Sequence, residues 1–412
     1  MSTRSGTTFG IRALFLAMAL LMLGNGLQAS LIGIRTQLEG FSGFTTGIVM
    51  AAYFAGFLGG SFLVPRFVIR VGHIRVFAAL ASGASAAALA YSISGDPFTW
   101  AAMRFITGVC FAGLYVVAES WIHSRATNET RGRLMATYMV TVLGAAGLGQ
   151  FLLNVSDPAG FELFILTSIL ISMAVVPVSL ARSPAPEFES EHPASLTELA
   201  KRSPLGVVAG LLTGASNAAI LGMGAVYGIT VGMSTSDIAL FIAAALAGGV
   251  ILQWPLGILS DRMPRRAVIL GVSIASTATA VVAASQIPAS PTMMALAFLY
   301  GGFAFSMYSL SISYINDTTP SHEFVGAAAA FLFVSGIGAI AGPLAVSWAM
   351  DEVGAEGYWW SLAAFYAPVA GLALYRILIR ARYKEQRFVP VPHRTSPVIG
   401  SIIEDYEAEP EE

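Results

Sequence analysis

Among the polar side chains that interrupt the long apolar runs of this chain, seven could do chemistry: Asn25, Gln28, Arg104, Tyr115, Glu119, Asn217 and Tyr300. A polar group inside hydrocarbon is unfavourable, an arginine near the centre costing about 2.5–3.5 kcal/mol on insertion scales, so such residues are the first candidates for binding. Arg104 can hold an anionic or carbonyl-bearing molecule. Asn25 and Gln28 lie three apart and share a helix face, and Arg104, Phe111, Tyr115 and Glu119 form one stripe at helical spacing. Asn217, with Thr213 one turn below it, adds a further amide, and Tyr115 and Tyr300 each add a hydroxyl on an aromatic ring. Counted along a helix from the ends of their runs, Asn25, Arg104 and Asn217 fall at similar depth. The competing roles are interhelical hydrogen bonding, which averages about 0.6 kcal/mol in membranes, and, for Arg104, a brace to backbone carbonyls. Glu119 has two readings. It is a proton-carrying carboxylate, or it pairs with Arg70 or Arg75 and holds one end of the bundle shut. The second is preferred, because Glu119 lies too near the end of its run for a central site.

The elements that position these groups follow from composition. The chain has 412 residues, 56% apolar and only 11% charged, with a mean hydropathy of +0.72. A water-soluble domain carries roughly a quarter charged residues. Twelve apolar runs are each long enough to cross a bilayer as helix: 12–34, 44–64, 75–95, 97–122, 134–155, 160–181, 204–230, 236–259, 267–286, 292–315, 324–347 and 358–378. They are continuously apolar rather than alternating, so they predict helices and not a barrel.

Of the 22 Lys and Arg residues, all but Arg35 and Arg104 fall at the termini or in even-numbered loops. Positive charge marks the cytoplasmic side, which predicts both termini inside. Arg4, Arg12 and Gln28-Ala29-Ser30 imitate a signal peptide, but cleavage there leaves an odd number of spans. The single Cys110 permits no internal disulfide. The only lysines, Lys201 and Lys384, follow no Gly-rich loop, so no P-loop ATPase is encoded. No polar segment is long enough for a separate catalytic domain. An enzyme, a metal or cofactor site and a nucleic-acid partner are therefore not expected.

Two junctions carry a repeated motif. Gly257-Ile-Leu-Ser-Asp261-Arg262-Met-Pro-Arg265-Arg266 ends the eighth run, and Pro65-Arg-Phe-Val-Ile69-Arg70-Val-Gly72-His-Ile-Arg75 stands 192 residues earlier (257 − 65). In the earlier copy Arg70 and Gly72 keep their places, while Pro65 and Ile69 replace Gly and Asp. The same offset relates Ala51, Ala52, Ala55 and Gly56 to Ala243, Ala244, Ala247 and Gly248, and Asn25 to Asn217. A parallel internal repeat is one way membrane transporters are built.

The Gly257–Arg266 stretch resembles the cytoplasmic loop signature of the major facilitator superfamily, which joins the second and third helices of each half. Arg104 with Gly108 and Gly113 is similar to that family's fourth-helix motif, whose Arg is associated with proton coupling. Gly144, Gly147 and Gly149 resemble its glycine-rich antiporter motif but lack the Pro, which speaks against antiport. A Gly-Pro pair, Gly342-Pro343, appears in the eleventh run instead.

The resemblance implies an all-α polytopic membrane protein of twelve transmembrane helices in two pseudo-symmetric six-helix bundles. Here these are 1–181 and 204–378, with a cytoplasmic linker at 182–203 and a disordered tail at 379–412. In this family the first, fourth, seventh and tenth helices line a central cavity. The expected substrate-binding residues are Asn25, Gln28, Arg104, Tyr115, Asn217 and Tyr300. The expected gating residues are Arg70, Arg75, Glu119, Gly257, Asp261, Arg262, Arg265 and Arg266. The implied function is secondary transport of a small organic molecule by alternating access, with proton-coupled efflux as the finer expectation. The partners would be the lipid bilayer of a bacterial inner membrane, the substrate and protons, and the protein would be a monomer. The alternative is a non-transporting membrane sensor or assembly protein that keeps the fold.

Overall fold

The computed structural model describes residues 2–126, 128–180, 196–320 and 323–379, without the side chains of 1–10, 127–129, 131 and 132. The tail from residue 380 and residues 182–195 of the linker lie outside the described residues. The helices are α1 (Ser2–Leu38), α2 (Gly43–Val71), α3 (His73–Ala90), α4 (Pro97–His123), α5 (Asn128–Phe151), α6 (Glu162–Met173), α7 (Val175–Leu180), α8 (Leu196–Arg202), α9 (Pro204–Thr230), α10 (Thr235–Arg262), α11 (Arg265–Ala284), α12 (Pro291–Asn316), α13 (Phe324–Val353) and α14 (Gly357–Ile379). Among the described residues there is no strand, and twelve helical segments are long and apolar enough to cross a membrane. They lie at the twelve predicted runs.

The sixth span is broken into α6 and α7 at Ala174. Pro177 has no amide hydrogen to give the carbonyl four residues back, at Met173, and its ring crowds that turn. The earlier motif copy is less a loop than expected. α2 continues through Pro65 to Val71, and only Gly72, at φ +91°, separates it from α3. That φ suits a residue without Cβ. Arg70 therefore belongs to the last turn of a helix, where a cation suits the dipole. The described end of the linker is a short helix, α8, whose Arg202 pairs with Glu323 at 2.7 Å. Ser42 caps α2 and Ser234 caps α10, again 192 apart (234 − 42).

Glycine contacts set the packing. A Cβ on Gly56 would lie 2.0 Å from the Phe105 carbonyl oxygen, and one on Gly108 2.0 Å from that of Tyr53, so α2 and α4 touch backbone to backbone. Gly248 against Phe298 and Gly301 against Ala245 repeat this crossing between α10 and α12. The offsets are 192 for α2/α10 (248 − 56, 245 − 53) and 193 for α4/α12 (298 − 105, 301 − 108).

A second pair of crossings joins α1 to α5, through Gly26 on Ala146 and Gly149 on Leu23, and α9 to α13, through Gly214 on Ser335 and Gly338 on Leu211. Here the offsets are 188 (214 − 26, 211 − 23) and 189 (335 − 146, 338 − 149). Measured from the helix ends, Asn25 corresponds to Asn217. Measured from the crossings, its counterpart is Thr213. Asn217 stands one turn farther along.

The two bundles meet along α2 with α13, α5 with α10 and α1 with α9. At the end of the bundle away from the termini these meetings are close. Asp351 presses its carboxylate on Gly43, and Ser347 lies on Gly47. The Ser236 hydroxyl donates to the Asn154 side-chain oxygen at 2.7 Å, and Gly33 packs against Ala225. That end is closed. Large apolar side chains such as Trp254, Leu148 and Ile274 stay exposed on the flanks, as a lipid-facing surface requires.

Candidate functional site

The α2–α4 crossing builds the site. Arg104 and Gly108 lie one turn apart on α4, and the close approach at Gly108 brings Tyr53 beneath Arg104. The guanidinium carbon sits 4.7 Å from the Tyr53 ring centroid, a cation–π geometry, and Nη2 lies 3.8 Å from the Met50 sulfur. Arg104 is only 2% exposed. An isolated charge at that depth is costly, and the electron-rich ring face offsets part of the cost.

Around Arg104 is a cavity of about 40 Å³, lined by Asn25, Tyr53, Arg104, Tyr115 and Gln150 from the first half and by Leu221, Ile242 and Leu246 from the second. One half brings the polar groups and the other a greasy wall. Tyr115 donates to the Met22 sulfur at 3.1 Å and meets Phe57 edge-on at 5.8 Å. A second cavity of about 30 Å³ reverses the assignment: Asn217 and Ser335 are its polar residues, and Phe54 and Phe57 contribute its aromatic ones. Phe54 lines both cavities. A water needs roughly 10–15 Å³ of such space, so each holds a few waters at most, and a larger guest requires the halves to part.

The sequence-predicted binding residues divide. Asn25, Arg104 and Tyr115 share the first cavity and Asn217 lines the second. Gln28 is fully buried and on neither cavity, because it lies on the side of α1 near Gly24, which faces α6. Tyr300 also reaches neither. Its hydroxyl is 2.8 Å from that of Ser216 and donates to the Leu362 carbonyl at 3.1 Å, so it ties α9, α12 and α14 together. Gln150 was missed by sequence reasoning. Its amide donates to the Gly26 carbonyl at 2.9 Å and accepts from Ser30, clamping α5 to α1 at the cavity edge. The available signal was its position beside Gly149, in a glycine run read only as a motif.

The expected pairing of Glu119 needs correction. Arg70 and Arg75 are exposed, and neither pairs with Glu119. Glu119 is fully buried, with the Tyr138 hydroxyl 3.4 Å from its carboxylate. In the later copy Gly257 is buried and Arg262 exposed. Arg265 makes its close ion pair with Asp317 at the end of α12 and donates to the Ser313 carbonyl at 2.9 Å. Asp261, the expected latch, stands back at 3.8 Å. Arg266 donates to the Tyr314 hydroxyl at 3.1 Å. The motif thus fastens α11 to α12 inside one half. Among the described residues, no group of three or more His, Cys, Asp or Glu could hold a metal.

Comparison with known proteins covers the same ground. The protein named uncharacterized MFS-type transporter YcaD of Escherichia fergusonii is 25% identical over 386 residues, 93% of this chain and 98% of the relative. Its namesake from Salmonella arizonae is 24% identical over 93% of this chain and 98% of its own length. Among solved structures, the nucleoside transporter NupG superposes with a TM-score of 0.75 at 12% identity, covering 89% of this chain and 99% of that one. A bacterial homolog of the human lysosomal transporter Spinster, in an inward-facing and unoccupied conformation, gives 0.69 at 15% identity, covering 89% and 95%. At such identities the likeness is one of fold. The family model described as Major Facilitator Superfamily matches residues 14–254 and 208–404, and with most of the sequence accounted for in this way, the chain belongs to that superfamily.

Proposed function

We propose that this membrane protein is a secondary transporter that moves a small organic molecule by alternating access, its halves 1–181 and 204–378 rocking about the paired cavities. The observation that carries the reading is Arg104, buried on Tyr53 in a cavity whose walls come from both halves. A group bound there touches both moving bodies, as binding at a repeat interface requires. A sensor needs no site shared in this way, so the geometry favours transport over the non-transporting alternative.

Both termini lie in the cytoplasm of a bacterial cell, by the distribution of Lys and Arg, and the closed end faces outward. The driving gradient is protons. Glu119 supports this reading as a fully buried acidic residue one turn from Tyr115 on the cavity stripe. The direction is export. The largely apolar walls of both cavities favour this direction over uptake of a polar nutrient.

Comparing metabolites released by deletion and overexpression strains identifies the cargo. In proteoliposomes with a proton gradient, Arg104→Ala and Asn217→Ala should then abolish its flux while leaving the fold intact. Unchanged flux in both variants removes the central site.

A further inference from the structure

The two cavities pose a problem that a single polar anchor does not solve. Asn217 is 4% exposed, and both atoms of its amide lack a hydrogen-bond partner among the described residues. Leaving buried polar atoms unpaired costs stability, and natural cores rarely keep such groups without use. The amide lines the second cavity, beside Gly214 and Ser335, and the Ser335 hydroxyl is already committed to the Phe331 carbonyl at 2.9 Å. Among the described residues, the only charged one lining either cavity is Arg104, in the other one. Phe54 forms part of both walls, its ring edge-on to Tyr53 at 5.4 Å.

We propose that the two cavities are the ends of one bipartite site, and that the cargo is an organic monoanion with a second, uncharged hydrogen-bonding end. Its anionic group lies on Arg104, with Asn25 beside it. Its apolar body lies along Phe54. Its far end is an amide or a comparable carbonyl-and-donor pair that matches Asn217, since only such a group satisfies both the oxygen and the nitrogen of that side chain. Cations are excluded by Arg104. Polyanions are excluded because the lining holds one positive charge and no second. This deepens the transporter reading and rests on it for the word cargo, but the binding itself is separately measurable.

The test uses the full-length protein in detergent and four probes on one phenyl scaffold: 3-(4-acetamidophenyl)propanoate, 3-phenylpropanoate, 3-(4-acetamidophenyl)propanamide and phenethylammonium. Binding is read by calorimetry and thermal shift. 3-(4-Acetamidophenyl)propanoate should bind tightest, with loss of either end weakening it about tenfold, the size of one good buried hydrogen bond, and phenethylammonium should not bind. Asn217→Leu should erase the advantage of the acetamido group alone. It should also raise the melting temperature, because the unpaired amide has gone. Arg104→Gln should erase the advantage of the carboxylate alone. The proposal is overturned if the four probes bind alike, if the cation binds best, if none binds, or if Asn217→Leu leaves the acetamido preference in place. Any of these outcomes leaves cargo flux in vesicles intact as evidence for transport. Loss of flux with probe binding preserved would count against transport and not against this site.

Discussion

Arg265 of α11 and Asp317 at the end of α12 form an ion pair with side chains 1% and 2% exposed. Both charges have left water, and the other acid near Arg265, Asp261, stands back at 3.8 Å. Removing one partner of a buried pair leaves an uncompensated charge, at a cost of about 3–5 kcal/mol, whereas a matched apolar replacement of both is often neutral. Arg265→Ala and Asp317→Ala should each lower the unfolding temperature sharply, and the double variant Arg265→Met with Asp317→Leu should recover most of the loss. Arg70→Ala, at the equivalent junction but exposed, should leave the unfolding temperature where it is. Equal behaviour of Arg70→Ala and Arg265→Ala would show that the two junctions are alike.

The helix crossings predict a contrast among glycines of one helix. Gly149 has the Leu23 carbonyl 2.3 Å from where a Cβ would stand, and Gly144 has nothing within 4 Å. Overpacking a close contact costs about 1–3 kcal/mol. Gly149→Val should therefore reduce the folded, monodisperse yield and the melting temperature, while Gly144→Val is tolerated. Gly214→Val should behave like Gly149→Val, because the Ser335 carbonyl lies 2.0 Å from its Cβ position.

Closure away from the termini is testable by cross-linking. The Ser236 and Asn154 side chains meet across the two halves. In a Cys110→Ser background, Asn154→Cys with Ser236→Cys should form a disulfide in native membranes on mild oxidation. Asn154→Cys with Ser42→Cys should not. Absence of the first product would mean that this end is open in the resting protein.

Glu119 separates coupling from binding. It stands fifteen residues from Arg104 on α4, about 22 Å at the helical rise. Glu119→Gln should abolish proton-driven flux of the cargo in proteoliposomes while leaving binding of 3-phenylpropanoate unchanged. Proton-driven flux equal to that of the wild type would remove Glu119 from the coupling.

The fold was legible because the pattern behind it is coarse: twelve apolar runs, a charge asymmetry and one repeated junction. The site was legible where a residue was anomalous for its surroundings. Arg104 has no soluble alternative inside hydrocarbon, and the structure puts it in the cavity. Gln28 and Tyr300 were equally anomalous by type, yet each turns away, because depth along a helix says nothing of which neighbour it faces. Gln150 and Asp317 were passed over for the opposite reason. Each sits at a run's edge, where polar residues are unremarked, and gains its role only from a helix distant in sequence. The Asn25–Asn217 equivalence shows a subtler limit: an offset correct for α2 and α10 differs by a turn at the crossings of α1 and α9.

That slip changes what each half offers. In the first half Asn25 stands one residue from the Gly26 contact, at the crossing itself and beside Arg104. In the second half Asn217 stands three residues past the Gly214 contact and two past that of Ala215 with Gly342, and lines the cavity on the other side of Phe54. Two scaffolds of one design thus present unlike faces to the space between them.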